Sequence, residues 1–341
     1  IQPGLWYDFW RAPHRPLMLC AVLAALVGPF LAAYGPQEHA RLMIFGFAGA
    51  AIGAYMLTVL PGWTKVRATP MQIAMLTVLW LAGRLFPGPV EALYFLLLAT
   101  ILGPPVVRKG IWDRIWAPLG ALVLTAAALL PDLTGGGAPL LVAGLIAIVG
   151  GKALPAFLAS AADCEQPPDR VLPRVGAALF LLGAALWPHP GWSLAAVACL
   201  VWQLLCWPLK VPPVGLMLLP PWLWLCAALL LMAQETVSPS LAVHALTMGG
   251  IGGMVQAFFA RVFARRIAGG ALKSRALSLA AAAALHGGVA ARLMEALPLS
   301  YGLWALAWML TLVQLLAHLR QPHRIPVFIG TRRKSRINSV H

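Results

Sequence analysis

Charged side chains are scarce in this sequence, where Asp, Glu, Lys and Arg together make up only 10% of the 341 residues. Hydrophobic residues make up 61%, and the mean hydropathy is +0.82. A soluble domain of this composition would expose much of its apolar surface to water, which excludes that class. The apolar runs are long and continuous rather than alternating, as β-barrel strands would be. The sequence therefore predicts an all-α, polytopic transmembrane helical bundle.

Cysteines and catalytic signatures are also few. The five cysteines form no CxxC pair, zinc-finger spacing or CxxCH haem-attachment site, so no disulfide framework is expected. Walker, GxSxG, HExxH and dinucleotide-binding patterns are missing. The first sixteen residues lack the order of a cleavable signal, and the first span is expected to act as an uncleaved insertion signal.

Apolar runs between Pro, Gly and charge clusters predict twelve transmembrane helices. The predicted spans are 17–34, 40–60, 71–86, 89–106, 117–131, 139–160, 171–187, 190–207, 213–234, 240–260, 276–297 and 300–319. This divides the chain into one transmembrane helical domain, residues 1–319, and a basic cytoplasmic tail, residues 320–341. The tail is expected to lie near anionic lipid.

The distribution of basic residues predicts the orientation. With the N-terminus inside, 21 of the 25 Lys and Arg residues fall on the cytoplasmic side, and the other four are Arg41, Arg84, Lys152 and Arg292. One span more or fewer would mix the two sides, so both termini are expected in the cytoplasm. The net charge of +15 arises from basic residues in the short loops between spans, so membrane lipids rather than nucleic acid are the expected partners.

Two histidines open predicted spans on the same, periplasmic side. His39 begins the second span and His244 the tenth, and each starts a His-Ala-x-x-Met pattern. Because imidazole is the commonest ligand for haem iron and copper, two such helices can form a metal or b-type haem site. The alternative for each histidine alone is an interfacial side chain bonded to a carbonyl or to water. The glycines after His244 allow close packing or room for a flat macrocycle, and His286 is a third candidate.

Other ionisable groups in or near the spans are few. Lys152 lies in a Gly-Gly-Lys-Ala-Leu-Pro segment that predicts a ligand-facing helix break, where its ammonium pairs with a propionate or another anion, or else reaches inward to the interface. Arg41, Arg84 and Arg292 are expected to anchor outer helix ends. The acidic residues near the spans also fall at predicted outer ends, which disfavours a carboxylate-based proton pump: Glu38, Glu91, Asp132, Glu235 and Glu295.

Five blocks in the same order resemble the NnrS family, polytopic bacterial membrane proteins associated with haem, copper and nitric oxide metabolism. The blocks begin at Arg15-Pro16, at His39 (running through Phe47 and on to Pro61-Gly62-Trp63-Thr64), at Trp80 (to Arg84), at Gly150 (to Phe157) and at His244 (to Arg261). The resemblance implies about twelve spans in the bacterial inner membrane, a haem b or copper cofactor near the periplasmic side and a role in nitric oxide handling or resistance to nitrosative stress.

The chain departs from the family pattern at residues able to bind metal. Arg41 and Leu42 stand where the family's first block has its second histidine and its glutamate, Arg266 replaces a later histidine, and Lys152 replaces an arginine. Arginine cannot ligate a cation, so Arg41 creates a positive site suited to an anion or carboxylate. The resemblance identifies a divergent member, in which His39 and His244 are the expected metal ligands and Lys152 and Arg41 further cofactor-binding residues.

Three functional hypotheses follow. The first is a haem- or copper-binding membrane protein that handles nitric oxide. The second, motivated by the replaced histidines, is a cofactor-free accessory subunit of a larger respiratory or photosynthetic membrane complex. The third is a transporter, suggested by the predicted break at Lys152. The sequence leaves open whether the protein is an enzyme.

Overall fold

The computed structural model describes residues 8–130, 136–162, 166–207, 217–234, 236–266, 272–273 and 276–321. Among the residues named above, Asp132 and Glu235 lie outside this part, as do the side chain of Arg266 and the tail after residue 321.

The regular secondary structure of the described chain is helical, apart from a two-residue antiparallel pairing of Arg265–Arg266 with Leu272–Lys273. It contains twelve helical segments of at least fourteen residues. These are α1 His14–Leu31, α2 Pro36–Thr64, α3 Pro70–Leu85, α4 Pro89–Arg108, α5 Trp116–Leu129, α6 Gly137–Ala162, α7 Val171–Leu186, α8 Pro190–Leu205, α9 Leu219–Met232, α10 Pro239–Phe263, α11 Ala276–Leu293 and α12 Leu297–Leu319. The prediction of an all-α bundle is confirmed, and each predicted span overlaps one of these helices.

Seven of the helices, α1, α2, α4, α6, α10, α11 and α12, are long and apolar enough to cross a membrane. The described helices α3, α7, α8 and α9 are apolar but shorter, at 14 to 16 residues. Large apolar side chains cover the outer surface, including Phe30 at 72% exposed and Leu85 at 76%. Such a surface is expected of a protein whose solvent is lipid.

Helices α2 and α10 form the centre of the bundle. Within their most apolar windows, 78% of α2 and 72% of α10 are buried, against 33% of α12. Both are interrupted by π-helical turns, at Leu42–Ala48 in α2 and Ala245–Gly252 in α10. Such segments are rare and are frequently found at functional sites. The π-helical segment begins three residues after His39 in α2 and one residue after His244 in α10.

Contacts between helix ends define two poles of the bundle. At one pole, which we call the histidine pole, the start of α2 meets the starts of α4 and α10. At the opposite pole, the indole rings of Trp63 at the end of α2 and Trp116 at the start of α5 lie 5.6 Å apart. There, Arg15 at the start of α1 also donates a 2.7 Å hydrogen bond to the carbonyl of Gln321, after α12. For the helices that these contacts involve, those that follow each other in the chain therefore run in opposite directions.

Candidate functional site

The imidazoles of His39 and His244 meet at the histidine pole. Their ring centres are 6.3 Å apart and their planes differ by 20°. Each ring comes from the first two turns of its helix, which places both at the same depth in the bundle. The two histidines, 205 positions apart in sequence, are therefore neighbours at this pole.

Hydrogen bonds orient both rings in the same way. The Nδ1 atom of His39 lies 2.9 Å from the carbonyl oxygen of Gly28 in α1, and that of His244 lies 2.7 Å from the carbonyl of Ser240 in its own helix. A carbonyl oxygen only accepts, so each Nδ1 carries the proton and each neutral ring keeps its lone pair on Nε2. This is the tautomer in which histidine binds a metal through Nε2, while its second nitrogen is held by a carbonyl.

The ring separation is compatible with a metal ion between the two side chains. A metal lies about 2.0 Å from an imidazole nitrogen, so two imidazoles on opposite sides of one ion have centres roughly 6 Å apart. The observed 6.3 Å is close to this value. The described residues contain no group of three or more His, Cys, Asp or Glu that could hold a metal ion. The donor set is therefore two imidazoles, His39 and His244, which would suit haem iron or a soft ion such as Cu(I).

Glycines of α10 are used for packing. A Cβ on Gly249 would lie 2.5 Å from Cγ of Trp224, and one on Gly250 would lie 2.5 Å from a methyl carbon of Leu225. The side chains of α9 therefore fill the groove that these glycines open. A macrocycle ligated by the two histidines would have to lie on another side of the pair.

Arg41 does not join the histidine pair but binds a buried carboxylate. Its guanidinium forms an ion pair with Glu91 at the start of α4, and Arg84 at the end of α3 pairs with the same carboxylate at 2.8 Å. The amide of Gly88 donates a third hydrogen bond to Glu91, at 3.0 Å. Glu91 is only 2% exposed. The carboxylate partner expected for Arg41 is thus a residue of the chain itself, and Arg84 is part of the same cluster.

Arg292 lies beside the second histidine. Its guanidinium donates a 3.2 Å hydrogen bond to the hydroxyl of Ser240, whose carbonyl holds Nδ1 of His244. The expected role of Arg292 as an outer anchor is compatible with this contact. Through Ser240 it also fixes the first turn of α10, on which the orientation of the His244 ring depends.

Lys152 lies far from the histidine pair. It forms ion pairs with Asp113 at 3.0 Å and with Asp169 at 3.4 Å, and Arg174 pairs with Asp169 at 3.3 Å. On the same helix, Phe157 contacts Phe258, which lies roughly 21 Å along α10 from His244 at 1.5 Å per residue. Helix α6 runs unbroken through Gly150, Gly151 and Pro155, so the expected helix break is not formed.

His286 does not join the pair either. It lies on α11, where a Cβ on Gly253 of α10 would be 3.0 Å from its Cε1. Two features of the site were not predicted from the sequence, the π-helical turns and the burial of Glu91. The signal that could have revealed Glu91 was its position three residues after Gly88 at the start of an apolar run, opposite two outer arginines.

Fold and site together define a multi-pass helical membrane protein with a paired-imidazole site at one pole. A model of the NnrS protein family matches residues 8–323, nearly the whole chain. The chain therefore belongs to the NnrS family, as its sequence blocks indicated. No curated protein matches it significantly.

Proposed function

We propose that this chain is a twelve-span protein of the bacterial inner membrane that binds haem b, or alternatively copper, between His39 and His244 and acts in the handling of nitric oxide. The observation that carries the proposal is the pairing of the two imidazoles, each held through Nδ1 by a backbone carbonyl, with ring centres 6.3 Å apart. The nitric oxide role rests on membership of the NnrS family.

The proposed topology has both termini in the cytoplasm and the histidine pole at the periplasmic surface. Two observations support it. Glu91 pairs with Arg41 and Arg84, and all three are predicted at outer helix ends. Toward the opposite pole, Lys152 pairs with Asp113 and Asp169. The positive-inside distribution of Lys and Arg assigns the second pole to the cytoplasm. The shorter helices cross with local thinning of the bilayer.

Charge at the histidine pole suits an anionic cofactor. Arg41 and Arg84 share one carboxylate, so the cluster carries a net charge of +1, and Arg292 adds another positive charge near His244. Haem propionates are carboxylates that such arginines bind well. In this proposal Arg41 contributes through the charge of its cluster, while Lys152 belongs to a separate ion-pair network and does not contact the cofactor.

The proposal is tested on protein purified in mild detergent from cells supplied with haem precursor and copper. We expect a Soret band in the reduced-minus-oxidised spectrum, or stoichiometric copper by elemental analysis. Both His39→Ala and His244→Ala should lose the bound cofactor, because a single remaining imidazole holds it weakly. A matched control is His189→Ala, which changes an exposed histidine at the start of α8.

A colourless protein without metal, or variants that retain the wild-type spectrum, would contradict the cofactor proposal. The alternative is then a cofactor-free accessory subunit of a larger respiratory or photosynthetic membrane complex. Two observations favour this alternative over a transporter: side chains fill the glycine-lined groove of α10, and α6 is unbroken at Lys152. Its test is co-purification of such a complex with the His39→Ala, His244→Ala double variant.

A further inference from the structure

A cavity of about 70 Å³ lies inside the bundle between α1, α2, α6 and α10. Its walls are almost entirely aliphatic, thioether and aromatic, and include Met18, Ala51, Val142, Ile251, Met254 and Phe259. All six of these residues are buried. Neither His39 nor His244 lines the cavity, so it is separate from the paired-imidazole site.

The chemistry of the walls makes this space dry. A buried water needs two to four polar partners, and cavities lined only by apolar groups remain empty or take up apolar guests. The polar residues in the wall, Tyr55 and His14, place their rings against Phe258 and His318, at 5.0 Å and 5.8 Å. The favoured guest is therefore uncharged and apolar.

Size restricts the guest further. An apolar cavity of about 150 Å³ holds benzene or xenon. The cavity found here has roughly half that volume, which suits a xenon atom or a diatomic gas but not an aromatic ring. A fatty acyl chain or an isoprenoid tail is far longer than the cavity.

One wall of the cavity gives access from outside the bundle. Ile52, Ile146 and Val149 line it and are only half-buried, whereas the residues on the α1 side are fully buried. In a membrane this wall faces acyl chains, in which small apolar molecules concentrate. A guest can therefore enter sideways from the bilayer without crossing the polar poles.

We infer that this cavity is a binding site for one small, uncharged, apolar molecule of the size of a diatomic gas, taken up from the hydrocarbon core of the membrane. It reaches both π-helical segments, because Ala48 ends the first and Ile251 lies within the second. A guest therefore lies against the ends of these two segments that are farther from the paired histidines. The inference does not require a metal at those histidines.

The test is xenon binding to crystals of the full chain, read from anomalous scattering after pressurisation. In wild type we expect one xenon peak between Ala51 and Met254. Ala51→Leu should abolish the peak, since the added carbons occupy the space. Ala126→Leu, the same change at an exposed position of α5, should leave it intact.

Two further results decide the inference. The His39→Ala, His244→Ala double variant should retain the xenon peak, which separates this site from the cofactor proposal. Ala51→Leu should keep the wild-type melting temperature, whereas Ala50→Leu, at a fully buried neighbour outside the cavity, should lower it by several degrees. Electron density that already fills the cavity in wild-type crystals not exposed to xenon, or density continuous with a lipid chain, would overturn the inference.

Discussion

The buried carboxylate of Glu91 offers the sharpest test of how the histidine pole is held together. We consider Glu91→Gln, which keeps the size of the side chain and removes its charge. In the native protein the carboxylate accepts hydrogen bonds from Arg41, Arg84 and the amide of Gly88. The amide oxygen of the variant can still accept the bonds made to one of the two carboxylate oxygens, but both guanidiniums lose their counter-charge.

The magnitude follows from the burial of the three groups. Glu91 is 2% exposed and each arginine 20%, so water replaces little of the lost interaction. Removing one partner of a buried ion pair typically costs about 3–5 kcal/mol, because an uncompensated charge remains. We expect Glu91→Gln to lower the free energy of unfolding by roughly this amount. Adding Arg41→Gln to the Glu91→Gln variant should restore part of the lost free energy of unfolding, because the double variant buries one charge fewer than the single variant.

The assay is reversible unfolding in mixed micelles of dodecyl maltoside and sodium dodecyl sulfate. Glu38→Gln serves as the control, since Glu38 is an exposed carboxylate in the first turn of α2 and its loss should cost less than about 1 kcal/mol. If Glu91→Gln is as stable as Glu38→Gln, the cluster is not the structural centre of this pole. If Arg41→Gln fails to compensate, the two side chains are not coupled.

Three smaller effects are expected elsewhere in the chain. Burial raises the pKa of Asp113, but the Lys152 hydrogen bond and the charges of Arg114, Lys152 and Arg174 outweigh it and hold that pKa below its ordinary value. A carboxyl group with a depressed pKa stabilises the fold at pH values above its unfolded pKa of about 3.9, and this stabilisation is lost as the pH falls through the folded pKa. The difference in melting temperature between wild type and Lys152→Met should therefore be full at pH 7 and close below about pH 4. An equal difference at both pH values would contradict this. Gly249→Ala should cost about 1–3 kcal/mol in micellar unfolding by forcing Trp224 aside, whereas Gly302→Ala, with no atom within 4 Å of its added Cβ, should be neutral or stabilising. Thr69→Ala should cost about 1 kcal/mol in the same assay, because it removes a capping box in which Thr69 and Gln72 bond each other's backbone amides, while the exposed Thr100→Ala should not.

Much of the fold follows from simple sequence rules. Continuous apolar runs are sufficient to place a helix in lipid, and Pro at the first turn of α3, α4 and α8 marks where helices begin. Pairing of His39 with His244 could be predicted because both open spans on the same side of the membrane. What the sequence could not provide was which helices are neighbours, since a helix buried all round carries almost no directional pattern.

The positions of the charged residues illustrate this limit. Lys152 and Arg41 were both expected at the cofactor, yet one pairs with Asp113 and the other with Glu91. Each partner lies on a segment brought close only by helix packing, so spacing along the chain does not reveal it. The π-helical turns are similarly invisible, because an extra residue in a turn is stabilised by tertiary contacts rather than by residue type.

The most direct test of the paired-imidazole site is X-ray absorption at the edge of whichever metal purifies with the protein. We predict a first shell containing two imidazole nitrogens at about 2.0 Å, reduced to one in a His244→Ala variant that retains metal when supplied with excess. A metal without imidazole ligands, or an unchanged imidazole count in that variant, would contradict the account.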